Sequence, residues 1–181
     1  MTQQTILQAM TKTFEDLGLY VTVPPEEPNL PFNGIIVEFG MDQEERPIVL
    51  QVLQYTKETA GFLKEGEKEE TTAELNIVSF ILTIPIEVQN TSVDETLKLL
   101  ALINKALPLG AFNYSDVEKA VYYSYNLPLF LEPPLEMILL TILQTLVFVK
   151  DTFIPVIENV AEGKETVGTF LELLSGATAA K

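Results

Sequence analysis

Residues Ser92–Pro128 read SVDETLKLLALINKALPLGAFNYSDVEKAVYYSYNLP. Ser92-Val93-Asp94-Glu95 has capping-box spacing, in which the serine oxygen accepts from the Glu95 backbone and the Glu95 carboxylate reaches back. Val93, Leu97, Leu100, Ile103 and Leu107 then recur at helical spacing. Pro108 and Gly110 stop that helix. Phe112 to Tyr114 and Ala120 to Leu127 follow as two strands of a hairpin turning at Ser115–Lys119. The period of two sends Tyr123 and Tyr125 to one face and Tyr122, Ser124 and Asn126 to the other. Tyrosines in that pattern are half-buried packing residues with wet hydroxyls rather than a catalytic group. A capped helix handed to a hairpin is the junction around which the rest of the chain is arranged.

On the N-terminal side of the junction, Glu74 to Val88 (ELNIVSFILTIPIEV) is the longest strand. Val78, Phe80, Leu82, Ile84, Ile86 and Val88 form an unbroken apolar row, while Ile77, Ser79, Ile81 and Thr83 make a mixed one. Pro85 has no N–H to give a ladder and marks a strand end or a sheet edge. Further upstream, Ile6, Leu7, Met10, Phe14 and Leu17 form one face of a helix over residues 3–17, ended by Gly18. Strands follow at residues 19–23, 34–39 and 48–55. The proline-rich stretch 24–31 and the charged stretch 57–72 read as exposed connections.

On the C-terminal side, Pro133-Pro134 opens a long helix, since proline suits a first turn. Leu135, Ile138, Leu139, Ile142, Leu143, Leu146, Val149 and Phe153 form its main face. Leu140, Val147 and Phe148 carry apolar character around the back, which makes them the candidate dimer interface. Pro155 is expected to kink or end this helix. The apolar run from Leu135 to Val149, interrupted by Glu136 and Gln144, reads as too short to span a bilayer. A short helix over 165–174 and a frayed tail complete the chain.

Composition narrows the function classes. Of 181 residues, 47% are hydrophobic, enough for a sizeable core. Eleven Lys and Arg against 26 Asp and Glu give a net charge of −15. That balance excludes a phosphate-binding basic patch and an affinity for anionic membranes, so no nucleic acid is expected as partner. It is compatible with a basic or apolar protein segment. The absence of histidine and cysteine removes imidazole catalysis, thiolate chemistry, disulfides and ordinary zinc sites. The acids lie in loops and on polar helix faces with no paired-carboxylate arrangement. Gly163-Lys164 lacks the glycine and the preceding strand of a phosphate-binding loop. No catalytic residue, cofactor site or metal site is expected, and no secretory leader is visible at the start.

The element order and the residues Leu99, Leu100, Asn104, Leu109, Gly110, Phe112, Val121, Tyr123 and Leu127 resemble the class I type III secretion chaperones and the related YbjN family, both bacterial. There a helix ending in an Asn-containing turn leads to a short strand, a tyrosine-rich second strand and a long helix. The charged insert at 57–72 and the short helix after Gly163 depart from that pattern. The resemblance implies a small acidic cytoplasmic α+β protein: an antiparallel sheet flanked by helices, one domain over 1–161 with a short helix and tail over 162–181, working as a homodimer. It further implies chaperone-like capture of a partner segment, with a YbjN-like regulatory or structural role as the alternative and a small-ligand site or an enzyme further off. On this reading Ile6, Met10 and Phe14, with Val78, Phe80 and Leu82, are the candidate partner-binding surface.

Overall fold

The computed structural model describes residues 3–25, 32–42, 44–55, 76–129 and 135–172, with side chains from residue 6 onward and excluding that of residue 76. The expected connection at 57–72, most of 24–31, Pro133-Pro134 and the tail lie outside these residues. The fold is α+β, as the alternation of helical and two-residue periods requires. Six antiparallel strands run in the order β1-β2-β3-β4-β6-β5. They are β1 (Tyr20–Thr22), β2 (Phe32–Met41), β3 (Pro47–Tyr55), β4 (Asn76–Glu87), β5 (Ala111–Ser115) and β6 (Ala120–Leu129). The helices are α1 (Gln3–Asp16), α2 (Val93–Ala106), α3 (Leu135–Ala161) and a last helix, α4, seen over 167–172.

The chain divides into two compact units, residues 1–83 with 124–144 and residues 84–123 with 145–181. In the first, cross-strand rows set the core. Ile35 pairs with Val52 and Val52 with Phe80; Val37 pairs with Leu50 and Leu50 with Leu82. All six side chains are buried. Each contributes about 1.5–3 kcal/mol by leaving water. The opposite rows, Gly34–Leu53–Ser79 and Ile36–Gln51–Ile81, are mixed in chemistry. Of these, Ser79 alone is buried, its hydroxyl bonded to the Asn126 side-chain oxygen. Phe80 stacks with Tyr125, ring centroids 6.3 Å apart.

α1 forms where expected and buries Ile6, Leu7, Met10 and Phe14. This corrects the site placement. Ile6, Met10, Phe14, Val78, Phe80 and Leu82 are core: five are wholly buried and Ile6 is 6% exposed. Residues that obey the helix and strand periods so cleanly do so because that face meets protein interior. They do not form an outward binding surface.

The β2–β3 turn is fastened by Asp42. Its Oδ1 accepts from the backbone of Glu44 (2.9 Å) and Arg46 (2.8 Å), and Oδ2 accepts from Arg46 Nε at 2.6 Å. Burial pushes the Asp42 carboxyl up, but the hydrogen bonds from Arg46 and Glu44 outweigh it and hold the group below the usual carboxylate range.

In the second unit, the capping box expected at Ser92 is not made. Ser92 is the last residue of a 3-10 turn (Asn90–Ser92) and its side chain makes no cap hydrogen bond. Glu95 instead holds Lys98 at 2.8 Å and accepts from the backbone of Val167 at 3.2 Å. The Lys98 bond, then the Val167 N–H, lower the Glu95 carboxyl. That link ties α4 to α2. The buried stripe of α2 is Thr96, Leu99, Leu100 and Ile103, while Leu97 is 44% exposed, so the true face is rotated from the expected one. Val121 and Tyr123 point inward as the strand period predicts, and the Tyr123 hydroxyl donates to the Leu109 carbonyl at 2.6 Å.

α3 is longer than expected. It runs 27 residues with Pro155 inside it rather than at its end. The reading of this segment as too short to span is corrected: its best 18-residue window has a mean hydropathy of 1.8, long and apolar enough to cross a membrane by length and composition. Core helices of soluble proteins pass the same test. Here Leu139, Ile142, Leu146, Val149, Ile154 and Ile157 are buried inside the protein, while of the apolar window as a whole 28% is buried. Met137, Val147 and Phe148 are exposed, and Leu140 is half-buried.

Candidate binding cleft

A cleft in the first unit measures about 340 Å³. Its walls are Leu7, Gln8 and Thr11 of α1, Val23–Pro25 after β1, residues 32–36 of β2, and Gln51 and Leu53 of β3. Each wall has a sequence cause. α1 turns its buried face inward through Met10 and Phe14, which brings Leu7 to the rim and leaves Gln8 outside. Pro24 and Pro25 cannot supply ladder N–H groups, so the chain leaves the sheet after three paired residues of β1. Gly34 has no side chain, and Leu53 fills the space above it. A Cβ built there would meet Leu53 Cδ2 at 2.8 Å.

The geometry along β2 is informative. β3 contributes alternate residues, as one face of a strand does. β2 contributes five in succession, 32 to 36, which requires that its edge, not only a face, borders the cleft. β1 pairs only with Ile36, Val37 and Glu38. Among the described residues no strand pairs with 32–35 on that side.

Among the described residues no lining side chain is ionisable. The polar groups are the amides of Gln8, Asn33 and Gln51 and the Thr11 hydroxyl, which donates to the Leu7 carbonyl at 2.9 Å. The described lining of the cleft holds no acid or base for proton transfer. It offers apolar surface, amide hydrogen bonds and a strand edge. Among the described residues no group of three or more acids is arranged to hold a metal ion.

Sequence reasoning placed the sticky surface near α1 but chose its inner face. The lining residues it missed sit one or two positions away, at Leu7, Gln8 and Thr11. The proline pair at 24–25, read as a connection, is one of the walls. The candidate interface residues Val147 and Phe148 do lie on the surface, at 45% and 52% exposure. The Phe148 ring meets Phe153 edge-on at 5.8 Å.

No family model, curated protein or solved structure matches this chain.

Proposed function

We propose that this is a non-enzymatic protein-binding domain that captures an apolar segment of a partner in the α1–β2 cleft and works as a homodimer in the reducing cytoplasm. The observation that carries the reading is the cleft itself: its described walls are uncharged and largely apolar, and strand edge borders it. The resemblance to secretion chaperones and the YbjN family supports it at the level of element order. The net charge of −15 keeps the complex dispersed and favours a neutral or basic partner segment.

The exposed Val147 and Phe148 favour a second reading, in which the domain is a fixed part of an assembly and has no client. Two measurements separate them. Light scattering on the wild type and on Phe148→Glu is expected to give a dimer and a monomer. A partner recovered from a native lysate is expected to be lost from Gln8→Arg, which puts a charge into the cleft, and retained by Phe148→Glu. A wild-type monomer overturns the dimer, and a partner indifferent to Gln8→Arg overturns capture in the cleft.

A further inference from the structure

We infer that the edge of β2 between Phe32 and Ile35 accepts an extended, uncharged polypeptide segment as an added strand. The inference rests on the protein-binding reading above and specifies its mode and its ligand class. An exposed strand edge presents unpaired N–H and C=O groups, and backbone pairing to them supplies affinity with little regard to side chains. Here β1 stops at Thr22, opposite Ile36, and Pro24 and Pro25 have no donors with which to continue the ladder. The cleft runs along the edge so vacated.

The cleft also states what the added strand must be. Among the described residues its walls are largely apolar and carry no charge, so a charged residue entering between them would lose its water without a counter-charge. The central residues are therefore uncharged and proline-free, with apolar side chains at alternate positions. The chain's negative field leaves neutral or basic flanks. Gln8 and Asn33, both exposed at the rim, supply amide groups matched to peptide groups.

The opposite margin shows what an edge closed to such pairing looks like in the same sheet. On β5, the Asn104 side chain donates to the Phe112 carbonyl at 2.9 Å and accepts from the Phe112 N–H at 2.8 Å. Asn113 donates to the Ala111 carbonyl at 3.0 Å. Asn104 occupies the place a neighbouring strand would take. Among the described residues no such side-chain clamp is found on 32–35, which leaves β2 as the accepting edge.

The test uses the full chain and a phage-displayed library of random nonamers. The strongest binder is synthesised and then N-methylated one residue at a time. Strand addition predicts that methylation at alternate positions lowers affinity about tenfold or more while the intervening positions tolerate it. It also predicts that the peptide slows exchange of backbone amides within 32–35 and leaves Phe112 unchanged. A bound peptide indifferent to methylation register, or protection elsewhere, overturns strand addition and leaves capture standing. No enriched peptide overturns strand addition as well, and joined to the absence of a lysate partner it overturns the capture reading too.

Discussion

At one margin of the sheet, Phe112 on β5 has both outward backbone groups satisfied by the Asn104 amide. At the other, β1 covers only three residues of β2, and Phe32 to Ile35 border a cleft. Edges of a sheet are templates for further strands, and proteins manage them one by one. The difference teaches that this chain spends a side chain on closing one edge and a pair of prolines on keeping another uncovered.

The largest expected effect comes from removing the clamp. Asn104→Leu leaves the Phe112 N–H and C=O without partners, at about 1–3 kcal/mol each. A loss of about 2–4 kcal/mol in urea unfolding is expected, with self-association rising with protein concentration as β5 becomes a second free edge. Unchanged stability would break the comparison at its closed side. Next is Gly34→Ala. The new methyl meets Leu53 Cδ2 at 2.8 Å and the Val52 carbonyl at 3.0 Å, so Leu53 must shift. About 1–3 kcal/mol of destabilisation is expected, as for an overpacked core, with weaker peptide binding because Leu53 is displaced into the cleft. Thermal unfolding and the nonamer titration check both parts.

The smallest effect concerns the turn that fixes where β2 and β3 meet. Because the Asp42 carboxyl is held below its ordinary range, its contribution is full above that range. It is lost as the pH falls through the depressed folded value. Asp42→Asn is expected to cost at most about 1 kcal/mol at neutral pH. It should flatten the acid limb of the stability profile below the ordinary carboxylate range. An acid limb identical to wild type would show that Asp42 does not lock the turn.

Much of this fold was legible in the residues. The apolar row of β4, the face of α1 and the inward turn of Val121 and Tyr123 follow from strand and helix periods, because those periods report directly on burial. The same logic explains the misplaced site: Met10, Phe14 and Phe80 stand out in the sequence because they are core. The stripe on α2 was read with Leu97 in place of Leu99, since both fit helical spacing with Leu100 and Ile103 and only Leu99 is covered. Glu95 was read as half of a capping box, but its partner lies 72 residues away at Val167, a distance that no local pattern encodes. Pro155 was expected to kink or end α3, and the helix runs through it to Ala161. The cleft was hidden because it is made by what is missing: a side chain at Gly34 and ladder donors at Pro24 and Pro25.

Hydrogen exchange of the free protein, resolved to single amides, tests the contrast between the two edges most directly. The Phe112 amide, bonded to Asn104 Oδ1, is expected to exchange only through unfolding of its unit and to speed up sharply in Asn104→Leu. Alternate amides within 32–35 are expected to exchange quickly and to slow when the selected nonamer binds. Protection within 32–35 equal to that of Phe112 in the free chain would contradict the claim that β2 offers an open edge.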